Sequence, residues 1–589
     1  MKGWKIISES GIKNQESGIK DLIEILLSNR GLKTKKEIEE FLNPKLENVT
    51  IKNVGIDKRQ LRKTIGRIQK SIKNKEKIVV FGDYDVDGIC GSAILWETLN
   101  GLGASVMPYI PHRMDEGYGL SMKAIQNSEF RIQNIKLIIT VDNGIVANEA
   151  VKYAKDQGID VIITDHHVPS KKLPDAFAIV HTTKLCGAGV AWVLSSVILN
   201  SFQNLNILEN KTLKQVQGNN NKNNLLELVA LATIADLVSL LGANRILVKF
   251  GLEALRRTKR VGLLELLKEA VLEKDKIGVY EIGHIIAPRL NAMGRLEYAM
   301  DSLRLLCTKN RDRARMLAQT LGSTNRERQA RTLTTVKHAK SAIQNSEFRI
   351  QNLLFVAHES YQQGVIGLVA GKLVEEYYRP TIVVSKGEIY SKASARSING
   401  FNIIEFIRSA SEYLVDAGGH PMAAGFTVET SKLALVQKTL ENKAESLLDE
   451  EKLTRTLRID CELDLSLVNN KLYDAIQKLA PFGMGNPEPT FVGRGVEIQD
   501  IRTVGREAKH LKLQLVCHPE ALAKGSHEIL RFAQNDKGMI DGIAFGMGEK
   551  YSQFHVGDAV DIAYTVDENK WNGNKKLQLK IKDLKLSRS

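Results

Sequence analysis

Three carboxylates directly follow an apolar run in the stretch Asp83-Tyr84-Asp85-Val86-Asp87-Gly88. The run is Ile78-Val79-Val80-Phe81, which predicts a buried β-strand. Acidic side chains that follow such a strand lie at the carboxyl edge of its sheet, where open α/β sheets bind ligands. Carboxylates packed this closely repel one another unless a cation lies among them. The stretch therefore predicts a metal site and suggests chemistry on phosphate.

Three more clusters of acidic or imidazole side chains occur farther along the chain. They are Asp142 after the apolar run Leu137–Val141, Asp165-His166-His167 after the run Val161–Thr164, and Asp236 in Ala235-Asp236-Leu237. Because the carboxyl ends of parallel strands converge on one crevice, we expect these side chains to meet. A single Asp after a strand is most often a helix N-cap, but independent caps would not also include paired histidines.

Together the clusters offer about five or six oxygen and nitrogen ligands, enough for two divalent ions. Oxygen-rich sites favour Mg²⁺ or Mn²⁺, and an added imidazole favours Mn²⁺. Two such ions can bridge a water molecule, lower its pKa and hold an attacked phosphorus atom in line. His166 and His167 are adjacent, so they should not both face one ion from one surface of the backbone. We expect one of them to bind metal and the other to contact substrate phosphate.

The order of apolar and helical patterns predicts several domains. Apolar runs alternate with helical stretches up to residue 180, which favours a parallel sheet with crossover helices, and a second α/β pattern begins at Leu353-Leu354-Phe355-Val356. The last part is rich in short strands and polar turns, typical of a small barrel. The predicted division is an N-terminal helical segment (1–70), an α/β catalytic domain (71–300), a helical linker (301–345), a second α/β domain (346–450) and a C-terminal barrel (455–589).

Composition restricts the environment and the partners. The net charge of +15 fits either Lys-rich solvated faces or a polyanionic partner. The five cysteines are scattered and form no CxxC pair, which argues against a zinc ribbon and fits a reducing cytoplasm. The N-terminus lacks a signal-peptide core, and the apolar stretch Leu225 to Ala243 contains Glu227 and Asp236, so it predicts a buried helix. We expect a cytoplasmic protein without membrane contact.

One eleven-residue segment, 124–134, recurs unchanged at 342–352. Two copies in unlike surroundings do not indicate a solenoid, which would need a regular period. We interpret them, together with the segment 525–538, as insertions at surface loops, and assign them no function.

In their order along the chain, the four clusters resemble the motifs of the DHH phosphoesterase superfamily. Later segments resemble motifs of those superfamily members that are bacterial exonucleases of single-stranded DNA. These segments are Ile285–Leu296, Gly364-Val365-Ile366-Gly367, Ser394-Ala395-Arg396-Ser397, Gly418–Phe426 and Pro481–Pro487. The resemblance extends from roughly residue 30 to residue 589.

The resemblance implies an α/β fold: a DHH lobe with a parallel sheet and flanking helices, a long helical linker, a second DHH-associated lobe and a C-terminal OB-fold barrel. It implies a 5′-to-3′ exonuclease that releases mononucleotides in DNA repair and recombination, with two Mn²⁺ or Mg²⁺ ions. A helicase and a single-strand-binding protein are its implied protein partners. The implied metal ligands are Asp83, Asp85, Asp142, His166 and Asp236, and Asp87 and His167 complete the catalytic set.

The candidate substrate-binding residues lie in the later segments. They are Arg289, Asn291, Arg295, Ser394, Arg396, Gly419, His420 and Trp571. A bidentate guanidinium suits phosphate, although Arg289 and Arg295 could instead be salt-bridged between lobes. Gly418-Gly419-His420 can present backbone N–H groups and an imidazole to an anion, or form a simple tight turn. Trp571 is the preferred base-stacking residue, whereas Phe491 and Phe545 are expected in the barrel core.

Two departures from the superfamily pattern could impair activity. The residues before Gly364 are Tyr361-Gln362-Gln363, where a Trp-His pair is usual, and the segment 181–186 is shortened. Two alternative functions remain open from the sequence. One is a phosphoesterase of oligoribonucleotides or cyclic dinucleotides, which would not need a barrel, and the other is a non-catalytic DNA-binding scaffold, which would not need an intact ligand set.

Overall fold

A computed structural model of the chain describes residues 3–8, 18–112, 116–117, 119–126, 134–202, 225–344, 352–516, 539–571 and 574–587. The chain forms two compact units, one of Lys45–Thr454 and one that combines Met1–Pro44 with Arg455–Ser589. The segment 525–538 and most of both copies of the eleven-residue repeat lie outside the described residues, so their assignment as surface insertions stays a prediction.

Helices and strands alternate through most of the described chain. The strands are β1 (Gly3–Ile6), β2 (Lys77–Gly82), β3 (Val106–Tyr109), β4 (Ile135–Val141), β5 (Asp160–Asp165), β6 (Ala178–His181), β7 (Leu354–His358), β8 (Thr381–Ser385), β9 (Tyr390–Arg396), β10 (Leu414–His420), β11 (Ala423–Glu429), β12 (Thr456–Ile459), β13 (Cys461–Glu462), β14 (Phe491–Val504), β15 (His510–Val516), β16 (Met539–Ala544), β17 (Ala559–Trp571) and β18 (Asn574–Leu586). The α-helices are α1 (Gly18–Ser28), α2 (Lys35–Leu42), α3 (Ile51–Val54), α4 (Lys58–Lys73), α5 (Val86–Gly101), α6 (Met122–Gln126), α7 (Asn148–Asp156), α8 (Gly187–Phe202), α9 (Leu226–Ala235), α10 (Gly242–Arg256), α11 (Val261–Glu269), α12 (Val279–Glu281), α13 (Ala287–Leu296), α14 (Met300–Cys307), α15 (Arg311–Gln344), α16 (Gln363–Tyr377), α17 (Ile403–Arg408), α18 (Leu433–Leu447) and α19 (Asn470–Gln477). A π-helical segment, Ile282–Ile286, leads into α13, and 3-10 turns lie at Leu46–Asn48, Lys274–Lys276, Ser411–Tyr413, Thr430–Lys432, Leu465–Leu467, Arg506–Ala508 and Gly548–Gln553.

The first lobe of the larger unit contains a five-stranded parallel sheet in the order β3-β2-β4-β5-β6. Its central strands are covered on both faces: Ile78 and Val80 point into one core, and Val79 and Phe81 into the other. Continuous apolar strands are the expected sequence for such a sheet. The predicted parallel sheet is confirmed, and β3, an edge strand with Pro108, is the strand that the sequence analysis missed.

The most apolar stretch of the sequence forms α9, as predicted. Its residues from Leu226 to Ile234 are buried, and it packs against α5, α8 and α10. Among the described residues, no helix combines the length and the apolar character needed to cross a membrane.

Helix α15 joins the two lobes of the larger unit. Its 34 residues extend about 51 Å at 1.5 Å per residue. Near its start, Ala318 and Leu321 are buried in the core of the first lobe, whereas Val336 and Ala339 are buried in a core of the second lobe. One continuous helix therefore contributes to both cores, as the predicted helical linker requires.

The second lobe has a mixed five-stranded sheet in the order β10-β11-β9-β8-β7. Strands β7 and β8 are parallel, and the remaining neighbours are antiparallel. Helix α16 packs against β8 and β9 on one side and against α15 on the other. This confirms a second α/β pattern, and it puts the glycine-rich end of β10 on an edge strand.

The smaller unit contains a closed five-stranded barrel. Its strands pair in the cycle β14-β15-β16-β18-β17-β14, and β13 pairs in parallel with the beginning of β14. Closure leaves no free strand edge within the cycle. The small barrel predicted from short strands and polar turns is therefore present.

The N-terminal residues differ from the single helical segment predicted for 1–70. Gly3–Ile6 is a strand that pairs in parallel with β12. After α1, the Arg30 side chain donates hydrogen bonds to Asn486 Oδ1 and to the carbonyl oxygen of Pro487, both at 2.6 Å. Residues up to 44 thus pack with the barrel, and residues after them pack with the first lobe. Local patterns could not reveal this division, because the contacts join residues more than 400 positions apart.

We predict that Arg260→Met destabilises the first lobe strongly. The Arg260 guanidinium donates hydrogen bonds to Glu97 on α5, Glu227 on α9 and the Leu306 carbonyl at the end of α14. Removing the cation leaves two shielded carboxylates without their partner, a loss of about 3–5 kcal/mol in the free energy of unfolding. Thermal denaturation should show a Tm about 5–15 °C lower. Arg257→Met, at an exposed position nearby, is the control and should change Tm by less than about 2 °C; equal Tm values for the two variants would contradict the prediction.

Candidate metal centre

The turn after β2 holds three carboxylates in different ways. Asp83 is buried beside the strand end. Asp85 is the N-cap of α5, and its Oδ1 accepts hydrogen bonds from the backbone N–H groups of Asp87 and Gly88. Both oxygens of Asp87 accept hydrogen bonds of 2.6 Å from backbone N–H groups at the start of α8. Asp85 and Asp87 are therefore each held in place by two backbone N–H groups.

Close backbone packing fixes this turn. A Cβ atom at Gly88 would lie 2.5 Å from the Asp83 carbonyl oxygen, and one at Gly294 would lie 2.5 Å from the Tyr84 carbonyl oxygen. Asn291, on the same helix as Gly294, accepts a hydrogen bond of 2.9 Å from the Val86 N–H. Asn291 thus holds the acidic turn through its Oδ1, and its predicted contact with substrate stays a prediction.

Asp142 lies directly across from the acidic turn. It follows β4 in a left-handed backbone conformation, with a φ of 63°, which is uncommon for a residue with a side chain. A Cβ atom at Gly187 would lie 2.6 Å from the Asp142 Cβ, so only glycine leaves room for it there. Such backbone strain persists where the surroundings enforce it, and it concentrates at functional sites.

His166 and His167 project into the same space. His166 Nε2 lies 3.1 Å from Asp142 Oδ1, 3.7 Å from Asp87 Oδ2 and 3.7 Å from Asp236 Oδ2. His167 Nδ1 lies 3.9 Å from Asp142 Oδ1. His166 is therefore within hydrogen-bonding distance of Asp142, whereas the close partner of His167 Nδ1 is Asp165 at 2.8 Å, and the expected division between a metal ligand and a phosphate contact stays a prediction. Each uses a different ring nitrogen, which the spacing in the sequence does not reveal.

These side chains form three overlapping groups of potential metal ligands. The groups are Asp83 with Asp85 and Asp142, Asp142 with His166 and His167, and Asp87 with His166 and Asp236, and in each the ligand atoms lie within 4.8 Å of one another. Asp142 and His166 each belong to two groups. Shared ligands of this kind are what two neighbouring ions need. The four clusters therefore converge, as predicted from the sequence.

Electrostatics show that the donor set fits a divalent cation. Burial and the nearby Asp85 raise the pKa of Asp87 to about 7, and burial with the neighbouring carboxylates raises the pKa of Asp236 to about 8. Burial also raises the pKa of Asp142 well above its usual value. A cation among these oxygens would offset both the repulsion and the loss of hydration.

Asp165 controls the neighbouring imidazoles, although the sequence analysis gave it no role. Its Oδ1 accepts hydrogen bonds from the backbone N–H groups of His166 and His167 and lies 2.8 Å from His167 Nδ1. Burial opposes protonation of His167, but the bond to Asp165 outweighs it and raises the His167 pKa to about 9. Burial and the adjacent His167 lower the His166 pKa to about 4, so His166 is a neutral imidazole suited to a metal. The motif Thr164-Asp165-His166-His167 already contained this signal.

The second lobe reaches the acidic cluster through His420. The His420 ring stacks on His167 with centroids 6.0 Å apart, and Gly419 precedes it at the exposed end of β10. On β9, Arg396 donates a hydrogen bond of 3.3 Å to Ser394 Oγ, and a Cβ atom at Gly367 would lie 2.9 Å from that oxygen. The structure thus brings His420 to the metal centre and pairs Ser394 with Arg396 beside the start of α16.

The two arginines of α13 have different surroundings. Arg289 Nε forms a 2.7 Å ion pair with Glu269, and its Nη1 donates to the Ile285 carbonyl oxygen. Arg295 is half-buried and donates through Nη1 to the Gly364 carbonyl oxygen. Arg289 is therefore salt-bridged, but within the first lobe and not between lobes as the alternative from the sequence had it. Phosphate binding by either arginine stays a prediction.

Aromatic residues of the barrel divide between core and surface. Phe491 is fully buried, as predicted, whereas the expectation that Phe545 is a core residue is wrong, because its side chain is 58% exposed. It follows β16, and the His510 ring contacts it edge-on with centroids 5.3 Å apart. Trp571 ends β17, and its side chain lies outside the described residues.

Known protein families match three segments of the chain. The DHH family N-terminal domain matches residues 77–233, the DHHA1 domain matches 350–446, and the RecJ OB domain matches 459–523 and 516–583. The first match includes the acidic turn, Asp142 and both histidines, and the last matches the barrel.

Curated relatives match nearly the whole chain. The single-stranded-DNA-specific exonuclease RecJ of Bacillus subtilis is 33% identical over 580 residues, which cover 97% of this chain and 68% of that protein. The protein of the same name from Haemophilus influenzae is 31% identical and is matched over 95% of both chains.

Two solved structures are also similar to this chain. The crystal structure of Thermus thermophilus RecJ in complex with Mn²⁺ matches with a TM-score of 0.78 and 26% identity, covering all of this chain and 80% of that one. A crystal structure of exonuclease RecJ bound to manganese is 31% identical, with a TM-score of 0.55, and covers 65% of this chain and 94% of that one.

We predict that Asp165→Asn lowers the His167 pKa in the metal-free protein. The raised folded-state pKa means that this pair stabilises the fold below the ordinary His pKa of 6.5 and that this contribution is lost as the pH rises through about 9. Without the Asp165 charge, burial dominates, and the His167 pKa should fall by more than about one unit. NMR titration of the imidazole signals measures it. Asp156→Asn, at an exposed position, should leave the titration unchanged; an unchanged titration in Asp165→Asn would show that Asp165 does not control His167.

Proposed function

The chain belongs to the RecJ family of single-stranded-DNA-specific exonucleases, and from this premise we propose that it removes mononucleotides from the 5′ end of single-stranded DNA by hydrolysis that uses two Mn²⁺ or Mg²⁺ ions. The convergence of oxygen and nitrogen ligands around Asp142 and His166 carries this proposal. The crystal structure of the Thermus thermophilus relative is a complex with Mn²⁺, and the oxygen and nitrogen donors of this chain suit the same metal.

The proposed metal ligands are Asp83, Asp85, Asp142, His166 and Asp236. Bound Mn²⁺ or Mg²⁺ supplies a water of lowered pKa and neutralises charge on the attacked phosphodiester. Asp142 belongs to two of the three ligand groups, so we propose that it would contribute to the binding of both ions. Asp87 completes the set from its position on the α8 backbone N–H groups, which orient it and its neighbours.

His167 is the proposed phosphate contact of the catalytic lobe. Its raised pKa keeps the ring cationic at neutral pH, and a cationic imidazole suits a phosphate oxygen better than it suits a metal. Asp165 holds its Nδ1, so Nε2 is the nitrogen available to substrate. The stacked His420 lies beside it and extends the phosphate-binding surface into the second lobe.

The second lobe is proposed to hold the 5′ end of the strand. Ser394 and Arg396 offer a hydroxyl and a guanidinium, and Arg295 lies near them because its backbone packs on Gly364. Gly419 and His420 add exposed backbone N–H and imidazole donors. Donors on both lobes around one cleft would accept a single strand and exclude a duplex.

The barrel is proposed to bind single-stranded DNA as well. OB-folds combine a basic groove with aromatic side chains on which bases stack. Phe545 is the better stacking candidate among the described residues, since it is exposed and its ring is braced by His510. Trp571 stays a candidate from its sequence position.

The cellular role follows from this substrate. An exonuclease of single strands acts on duplex DNA only after the strands are separated, so we propose cooperation with a helicase and a single-strand-binding protein in repair and recombination. We expect it to act in the cytoplasm, where bacterial DNA lies. Comparing hydrolysis of a dinucleotide with that of a long single strand separates this function from that of a small-substrate phosphoesterase.

We predict that Asp142→Asn abolishes exonuclease activity and metal-induced stabilisation together. Loss of a shared ligand removes several kcal/mol of transition-state stabilisation, so hydrolysis of 5′-labelled and 3′-labelled single strands with Mn²⁺ should fall about a thousandfold. In the metal-free protein the same change removes a repelling charge and should raise Tm. Saturating Mn²⁺ should raise the Tm of the wild type but not that of the variant.

The order in which the two labels are released reports the polarity of digestion. Asp156→Asn serves as the control with the same chemical change at an exposed position. Activity of Asp142→Asn equal to that of this control would contradict the two-metal site, and a non-catalytic scaffold would then be the better reading.

We predict that Phe545→Ala weakens binding of long single strands. A stacked base contributes about 1–3 kcal/mol, which corresponds to a roughly 5- to 150-fold higher Kd. Fluorescence anisotropy with an oligothymidylate measures this. Tyr280→Ala, which removes an aromatic ring that is 63% exposed in the first lobe, is the matched control. An affinity equal to the control would exclude Phe545 from the binding surface.

A further inference from the structure

The buried face of α15 changes character in its middle. Ala318 and Leu321 pack into the first lobe, and Val336 and Ala339 pack into the second. The turns between them, on the same face, carry Asn325, Arg328 and Thr332 instead of apolar residues. Polar side chains thus occupy the part of the helix that lies between the two cores.

The Arg328 side chain is unfavourable for the stability of the folded protein. The residue is half-buried, its Nε is buried without a hydrogen-bond partner among the described residues, and the ion pairs found there do not include its guanidinium. Burial lowers the pKa of Arg328, and no neighbouring carboxylate offsets this. A shielded cation without a counter-charge destabilises a fold, whereas an apolar residue of the same volume would not.

Asn325 adds a second unsatisfied group one turn earlier. Its side chain is 2% exposed, and its Oδ1 has no partner among the described residues. A half-turn of the amide would present the N–H groups in place of the oxygen. Two polar groups at an (i, i+3) spacing therefore lie on one face without protein partners.

The surrounding arginines are already engaged, which sets Arg328 apart. Arg326 forms an ion pair with Glu269, the same carboxylate that binds Arg289. Arg331 donates to Gln362 Oε1 just before α16. These bonds tie the middle of α15 to α11 and α13 on one side and to the start of α16 on the other. Arg328 therefore lies between the two tied points along the helix.

We propose that Arg328 binds a phosphodiester group of the single-stranded DNA between the two lobes, from the same helix face that buries Asn325. This inference rests on the proposed function and adds a subsite on the connecting helix to those on the lobes. An anionic phosphate would be the counter-charge of Arg328. A guanidinium can bind a phosphate through two parallel hydrogen bonds. The unpaired guanidinium lowers the stability of the DNA-free protein, and the same side chain adds a contact when a single strand binds.

The test compares Arg328→Met, Arg328→Lys and wild type as full-length metal-free proteins. Arg328→Met should raise the Kd for an oligothymidylate of about 20 nucleotides roughly tenfold, as expected for hydrogen bonds to a charged group. The slope of log Kd against log salt should decrease by about 0.7. Its Tm without DNA should rise, since the unpaired charge is gone. Arg328→Lys should restore the salt slope and only part of the affinity.

Arg313→Met is the matched control, because it removes the same charge from an exposed position on the same helix. It should leave the Tm unchanged, and it should change the Kd by less than about twofold. Unchanged Kd and salt slope in Arg328→Met would overturn the subsite while wild type still binds DNA and, once Mn²⁺ is added, degrades it. Weaker binding accompanied by a lower Tm would also overturn it, because Arg328 would then be structural. A wild type that neither binds nor degrades single strands would overturn the proposed function and this inference together.

Discussion

Repulsion among buried carboxylates is the constraint on which the first lobe depends. Asp87, Asp142 and Asp236 are brought together at the end of a parallel sheet, and burial with mutual repulsion raises the pKa of each. Folding must therefore hold these groups against their own electrostatics. It does so with backbone N–H groups at the start of α8, with the N-cap bonds of Asp85, and with the Asn291 oxygen on the Val86 N–H.

The same constraint explains the unusual backbone around the site. Asp142 has a left-handed conformation, and Gly88 and Gly187 permit contacts that any Cβ atom would prevent. Each of these features costs stability locally, and each positions an oxygen where a divalent cation can receive it. The pair of histidines follows the same principle. Asp165 holds one of them cationic, and burial keeps the other neutral, so adjacent residues acquire different chemistry.

The two lobes of the larger unit are joined through α15 and through His420. The helix contributes apolar residues to both cores, and in its polar middle Arg328 Nε is buried without a hydrogen-bond partner among the described residues. His420 comes from an edge strand of the second sheet and stacks on His167 of the first lobe. A long, thin anion is the ligand whose charges would match donors distributed in this way.

Periodicity, apolar runs and strand ends are local properties of the chain, and they were enough to predict the parallel sheet, the buried α9, the second α/β lobe, the barrel and the convergence of the four acidic clusters. The remaining features became visible in the folded structure. It showed that Arg289 is paired with Glu269, that Phe545 is exposed, and that residues 3–6 form a strand beside the barrel. These outcomes depend on contacts between residues that are far apart in the chain. The hydrophobic pattern of a segment does not show which distant residues will contact it. The different surroundings of His166 and His167 were hidden for the same reason, because the fold, and not the spacing of two residues, places His166 Nε2 beside Asp142 and His167 Nδ1 beside Asp165.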